Sequence, residues 1–308
     1  MTERILITQP IDASAMALLE AAGLSIDVWP GPAPMPAAEL RSRARGCAGL
    51  ISMLTDPVDA ELMAAGPLRV IAQHAVGVNN IDLEAAKSMG VAVAHTPGVL
   101  TEATADLAMA LLLSAARRIV EGHALVSSGE WQGWSPTLLC GMELNGSTMG
   151  VVGMGRIGAA VARRAEAFGM RIIHHNRSSG CSLEELLAES DVVSLHCPLT
   201  PDTHHLIDEA ALEAMKDTAI LINTARGPVV DEAALVQALS TGGIAAAGLD
   251  VFEEEPRIHP GLMGLPNVVM APHLGSATVA TRRKMGHMVA EDLIRGLREE
   301  PLEHAVRR

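Results

Sequence analysis

Arg226, Glu255 and His273 each follow an apolar run, in the segments INTARGPVVDE, GLDVFEEEP and APHLG. Their chemistry is complementary. A guanidinium is a permanent cation whose planar fork grips a carboxylate or polarises a carbonyl oxygen. A histidine can hand that oxygen a proton, and a carboxylate beside it favours the imidazolium and holds the ring in orientation. Singly, each residue also fits a duller role: Arg226 a surface charge, Glu255 one of the solvated triplet Glu253–Glu255, His273 a structural histidine. Gathered outside the carboxyl ends of the strands of one sheet, they are equipped to reduce a 2-oxo acid, given a source of hydride.

The hydride source is written in Thr148–Phe168, TMGVVGMGRIGAAVARRAEAF. A short apolar run leads into Gly153, Gly155 and Gly158, with Arg156 and Ile157 between the last two, and an alanine-rich helical pattern follows. Strand, glycine turn and helix start come in the order of a dinucleotide-binding βαβ unit. Gly153 makes the tight turn, Gly155 leaves room for a pyrophosphate, and Gly158 lets helix lie close on strand, while the helix N-terminus offers free N–H groups. A second strand is expected at Met170–His174. An NAD enzyme usually places Asp or Glu just after it to bind the ribose hydroxyls. Here Asn176, Arg177 and Ser178 stand there; a cation and a hydroxyl suit a 2′-phosphate, so NADP(H) is expected as preferred cofactor, with NAD(H) still possible.

These residues need a sheet to hold them, and the chain supplies two. Strands are expected at Arg4–Thr8, Ile26–Trp29, Gly49–Met53, Val70–Gln73 and Val91–Ala94, with helices at Ala13–Ala22, Ala37–Arg45, Asp59–Ala65 and Leu83–Met89. Alternation of this kind means a parallel sheet with helices on its faces. Pro97 and Gly98 break the pattern, and one long helix, Thr101 to about Gly122, opens a second α/β domain. An irregular segment, Ser127–Leu144, carries Trp131 and Trp134 into the glycine unit, and later strands are expected at Val192–His196, Ala219–Asn223, Ala246–Val251 and Val268–Ala271. A last helix, Ala277–Arg298, is placed to cross back to the first domain.

Composition narrows the classes. A chain of 308 residues is long enough for two domains with proper cores. A net charge of −13 argues against nucleic acid as main partner. The most apolar stretch, Leu107–Ala116, is too short to span a bilayer, and MTERILITQP has no hydrophobic signal core. Cys47, Cys140, Cys181 and Cys197 show no pairing pattern, which points to free thiols in the cytoplasm. The adjacent pairs His174/His175 and His204/His205 lack the helical spacing of a metal site, and no metal is expected.

The stretches HAVGVNNIDLEAA, HTPGVLTEATAD, VVGMGRIG, SLHCPLTPDTHHLI, INTARGPVVDEAAL, GLDVFEEEP and LPNVVMAPHLGSAT run in order through most of the chain. With them the chain resembles the D-isomer-specific 2-hydroxyacid dehydrogenases, and among these the glyoxylate/hydroxypyruvate reductases. The resemblance implies two doubly wound parallel-sheet α/β domains: a Rossmann dinucleotide-binding domain at residues 100–278, and a discontinuous flavodoxin-like substrate domain from 1–99 and 279–308. It implies Arg226 as the residue that binds and polarises substrate, His273 as proton donor and Glu255 as its partner. It further implies that the backbone at Val76 and Gly77 receives the substrate carboxylate and that Thr101, Thr224 and Asp250 line the nicotinamide side. Cys197 and Pro198 would flank the adenine side, with Thr203 and Gly275 also among the cofactor-binding positions. The segment GEWQGWSPTLLCG resembles a dimer-interface stretch, which makes a homodimer the expected state and Trp134 a residue reaching the partner's substrate site. A dehydrogenase of another small 2-hydroxy acid, of formate or of phosphite fits the same resemblance, and so does a non-catalytic, nucleotide-sensing corepressor-like protein.

Overall fold

Short runs of aliphatic residues, each followed by a helix, build the first part of the chain, and aspartates cap three of its first four helices. A computed structural model describes residues 2–31 and 33–306. In chain order it opens with β1 (Arg4–Ile7), α1 (Ala13–Ala21), β2 (Ser25–Val28), α2 (Ala37–Ala44), β3 (Gly49–Ser52), α3 (Ala60–Ala64), β4 (Val70–Gln73), α4 (Leu83–Ser88) and β5 (Ala92–Ala94). Asp12, Asp59 and Asp82 accept the free N–H groups of Ser14, Leu62 and Ala85 at the starts of α1, α3 and α4, satisfying donors that no helical carbonyl reaches. All five strands run parallel, in the order β2-β1-β3-β4-β5. β3 and β4 are buried along their whole length, as strands covered on both faces must be.

The chain then forms α5 (Thr101–Ala116), α6 (Ile119–Ser127), β6 (Thr148–Val152), α7 (Arg156–Ala167), β7 (Arg171–Asn176), β8 (Ser179–Gly180), α8 (Leu183–Glu189), β9 (Val192–Leu195), α9 (Glu209–Glu213), β10 (Ile220–Asn223), α10 (Glu232–Thr241), β11 (Ala246–Leu249) and β12 (Val268–Met270). The second sheet has the order β12-β11-β10-β9-β6-β7-β8, parallel except for β8. Strand order reverses between β6 and β9, the switch point where α/β sheets take nucleotides. Last comes α11 (Val279–Leu297), capped by Thr278. Its Val289, Ala290, Leu293 and Leu297 pack with Ile5, Ile7 and Val70 of the first sheet. Gly296 lies so near Val70 that a β-carbon would come within 2.5 Å of it. The chain thus divides into one compact unit of residues 1–100 and 276–308 and another of residues 101–275.

The expected α/β architecture with two parallel sheets is present. The single helix Thr101–Gly122 is not: α5 stops at Ala116, and Arg118 turns left-handed, φ 53°. The Met142 N–H takes the Ala116 carbonyl at 2.8 Å, and Arg118 pairs with Glu121 at the start of α6. Tertiary partners thus stop α5 where its own residues would continue. The two-residue strand β8 also escaped the sequence pattern, because it is a polar hairpin return after the turn at Arg177 and Ser178, rather than an apolar run. β7 runs to Asn176, two residues beyond the expected end, which makes Asn176 the last residue of the strand.

Candidate active site

β10, β11 and β12 are neighbours, and Arg226, Glu255 and His273 follow their carboxyl ends. Close packing draws the loops together: a β-carbon on Gly227 would lie 1.9 Å from the carbonyl carbon of Phe252, so only glycine fits beside Arg226. His273 Nδ1 lies 2.8 Å from Glu255 Oε2, and the Phe252 N–H donates to Glu255 Oε1 at 3.0 Å. Burial pushes the Glu255 carboxyl up, but the His273 contact, the Phe252 N–H and the Arg226 charge outweigh it and hold the group below the usual range. Burial lowers the Arg226 guanidinium and the Glu255 charge opposes that shift. Arg226 also donates to the Ala225 carbonyl at 2.6 Å.

His273 sits in the left-handed region, φ 54°. Asp250, 1% exposed, explains how that is held: its carboxylate accepts the Leu274 and Gly275 N–H groups at 2.6 and 2.8 Å, and its carbonyl accepts the His273 N–H. Gly275 is further fixed by Thr104, whose hydroxyl donates to its carbonyl at 3.1 Å. Asp250 is thus engaged with the backbone behind the histidine.

At the switch point the three glycines divide by cause. A β-carbon on Gly153, φ 94°, would meet the Cys197 nitrogen at 2.6 Å, and one on Gly158 would meet the Gly153 carbonyl oxygen at 2.3 Å. Gly155, the N-cap of α7, faces open space. The fold therefore demands Gly153 and Gly158 but not Gly155, which leaves the room a pyrophosphate needs beside the free N–H groups of α7. Arg156 stands exposed in the same turn with Ile157 half-buried beside it. Thr101 is the first residue of α5. Thr224 is buried after β10, Pro198 is exposed after β9, and Thr203 ties its loop by donating to the Pro198 carbonyl at 2.6 Å. Burial raises the Cys197 thiol to about 11, which makes it packing rather than a nucleophile.

Asn176 does something its sequence position did not announce. Its Oδ1 accepts the Met154 N–H at 2.7 Å and its Nδ2 donates to Ser179, so it braces the glycine turn. Arg177 and Ser178 beyond it are exposed, and among the described residues Arg177 forms no salt bridge. Spacing along the chain also hid the meeting of His204 and His205 with Glu253, whose ligand-type atoms lie within 4.8 Å of one another. His205 Nε2 pairs with Glu253 Oε1 at 2.6 Å, and Glu253 exchanges hydrogen bonds with Glu232, joining the Thr203 loop to the segment before Glu255. In the other unit, Val76 and Gly77 follow β4 and are half-buried. Trp134 is 84% exposed on the segment after α6, and α6 itself buries none of its residues. A cavity of about 1000 Å³ lies away from the trio, at the amino ends of the second sheet, lined by Asp191, Thr218, Ala245 and Asn267 together with Val120 and Met142.

A glycine turn at the switch point of one sheet, with a histidine–carboxylate pair and a cation at strand ends of that sheet, is the arrangement of an NAD(P)-dependent dehydrogenase. The model of the NAD-binding domain of D-isomer specific 2-hydroxyacid dehydrogenases matches residues 109–275, and the chain belongs to that family. It is 50% identical over 309 residues to a glyoxylate reductase of Korarchaeum cryptofilum, covering 96% of this chain and 92% of that one. The crystal structure of a protein from Thermus thermophilus superimposes with a TM-score of 0.95 at 50% identity, covering 99% of this chain and all of that one. An NADPH-dependent glyoxylate/hydroxypyruvate reductase of Sinorhizobium meliloti, solved with NADP and malonate, gives 0.89 at 34% identity over 99% of this chain and 97% of that one. No helix among the described residues is long and apolar enough to cross a membrane.

Proposed function

We propose that the protein reduces glyoxylate and hydroxypyruvate to the corresponding 2-hydroxy acids, with NADPH preferred to NADH. The observation that carries this is the Glu255–His273 pair at 2.8 Å, with Arg226 acting on the same carboxylate, at the strand ends of the sheet that carries the glycine turn. The names of the relatives support the substrate class.

A bound nicotinamide dinucleotide supplies hydride; the chain supplies the rest. Gly153, Gly155, Arg156, Ile157 and Gly158 would hold its pyrophosphate, Thr101, Thr224, Asp250 and Gly275 would border its nicotinamide, and Cys197, Pro198 and Thr203 its adenine. Arg226 polarises the 2-oxo oxygen, His273 gives that oxygen a proton, and Glu255 keeps the imidazole oriented. The N–H groups of Val76 and Gly77 receive the substrate carboxylate. Arg177, exposed and without an acidic partner among the described residues, reads the 2′-phosphate with Ser178, while Asn176 is committed to Met154.

The working state is a homodimer formed through α6 and the segment after it. Ile119, Val120, Val126, Trp131 and Trp134 are all about half exposed or more on that stretch, an apolar surface that a monomer would leave in water. In the dimer Trp134 reaches the partner's substrate site; a Trp134→Ala protein that stays dimeric with unchanged substrate preference would remove that role. With four unpaired cysteines, the protein belongs in a reducing compartment, the cytoplasm.

The test is NADPH oxidation with glyoxylate and with hydroxypyruvate, beside NADH at matched concentrations, in wild type and Arg177→Ala. Turnover that favours NADPH and loses that preference in the variant is expected. Preference for NADH keeps the dehydrogenase but removes the role of Arg177. Turnover confined to other 2-hydroxy acids, formate or phosphite moves the substrate, and cofactor binding without any turnover favours a nucleotide-sensing protein.

A further inference from the structure

Val76 and Gly77 are held by a chain of contacts that runs through the unit formed by residues 1–100 and 276–308. The Thr96 N–H donates to the Ala75 carbonyl at 2.9 Å, and His95 Nδ1 lies 2.8 Å from the Val76 carbonyl oxygen. A carbonyl can only accept, so Nδ1 of His95 carries the proton. In a trans peptide the C=O and the N–H of the next residue point to opposite sides. Tying the Ala75 and Val76 carbonyls to adjacent residues of one segment therefore turns the Val76 and Gly77 N–H groups together the other way. Two successive amides so aligned make a concave anion site. Neither donates to a protein acceptor among the described residues.

His95 in turn is fixed from the far end of the chain. Its N–H donates to the His304 carbonyl at 3.1 Å, and the Val306 N–H donates to the Val93 carbonyl at 2.8 Å, so the tail runs antiparallel along β5. Asp292 of α11, 1% exposed, holds that tail by accepting from the Glu303 N–H and from His304 Nδ1 at 2.7 and 2.8 Å.

We infer that His95 is a positioning residue for substrate: its imidazole, set by the C-terminal segment, aims the Val76 and Gly77 amides at the carboxylate of the 2-oxo acid. The inference rests on the reading of Val76 and Gly77 as carboxylate-binding. His95 touches no reacting atom, so its loss acts on substrate affinity rather than on hydride or proton transfer.

The test compares wild type with His95→Ala, His95→Gln and His95→Asn, using glyoxylate and NADPH. Asn places an N–H donor where Nδ1 stands, Gln moves it one bond further out, and Ala removes it. A hydrogen bond that orients donors for a charged group is worth a factor of about ten or more. KM for glyoxylate should rise by that factor in the Ala and Gln proteins, with kcat within about threefold and the NADPH dissociation constant, read by fluorescence, unchanged. The Asn protein should return KM toward wild type. If the Ala protein does not fold, the Gln protein gives the same comparison with the volume kept. A wild-type KM in the Ala or Gln protein overturns the inference, and so does a joint loss of kcat, KM and NADPH binding that Asn does not rescue. A wild-type protein that reduces neither glyoxylate nor hydroxypyruvate overturns the functional reading, and this inference with it.

Discussion

The contact between His273 and Glu255 decides which ring nitrogen is left for chemistry. Glu255 is held ionised below the usual carboxylate range, so Nδ1 must carry the hydrogen it shares with Oε2, and Nε2 is the nitrogen that can give a proton to substrate. A single histidine acting as general acid contributes about 10² to 10⁴ in rate, and kcat in His273→Ala should fall by that much with NADPH binding retained. Glu255→Gln should lower kcat less, by about 10 to 100-fold, because the ring stays in place while the charge that supports the imidazolium is gone. The pH profile separates the two roles. In wild type the pairing persists as acid is added until pH passes below the ordinary carboxylate value of 4.5, to the depressed value of Glu255. That acidic limb should vanish in Glu255→Gln, and stopped-flow rates over a pH series would reveal it; a limb that survives the substitution would assign it to another group.

At the scale of elements, the turn from β6 to α7 separates what folding requires from what a ligand requires. Gly153→Ala forces a side chain into a left-handed turn against the Cys197 backbone and should cost ~3 kcal/mol or more. Gly155→Ala meets no protein atom and should change stability by less than about 1 kcal/mol, yet weaken NADPH binding at least about tenfold by filling the phosphate's place. Urea unfolding beside a fluorescence titration checks both, and equal losses of stability would refute the division. This turn was legible in the sequence because its signal is local: an apolar run, three glycines, a helical pattern. The strands were legible for a related reason, since a parallel strand buried on both faces is a continuous aliphatic run, as in β3, β4 and β10. The break between α5 and α6 was not, because the donor that takes the Ala116 carbonyl, the Met142 N–H, comes from 26 residues further along the chain. Asn176, read for its distance from the glycines, turned out to brace Met154, and no spacing rule could show that Glu253 meets His205 or that His95 faces the Val76 carbonyl.

On the scale of the whole molecule, each unit places a histidine just past an interior strand: His74, buried after β4, and His196, half-buried after β9. Burial brings both down to about 4, with the Arg282 charge adding to the effect at His74. The sign follows from where the protons go. Above pH 6.5 both histidines are neutral folded or unfolded and cost nothing. Between 6.5 and about 4 the unfolded chain takes up protons that the native state refuses, so stability falls as pH falls, and below about 4 the loss is complete. For His74, 8% exposed, a drop from 6.5 to about 4 amounts to about 3 kcal/mol at about 1.4 kcal/mol per pH unit. A second effect opposes it. The chain carries a net charge of −13 at pH 7, and protonation relieves that self-repulsion, which by itself would raise stability on mild acidification. Surface charge terms are individually worth well under about 1 kcal/mol and are screened by salt, whereas a buried imidazole is not. The histidines should therefore prevail: denaturant midpoints at about 0.15 M salt should fall from pH 7 to 5.5 and again to 4.5. In His74→Gln, which cannot take up the proton, the first unit should keep its midpoint over that window while the second continues to lose stability through His196. A wild-type midpoint that instead rises on going from pH 7 to 5.5 would mean that charge relief dominates and that the two histidines stay better hydrated than their burial implies.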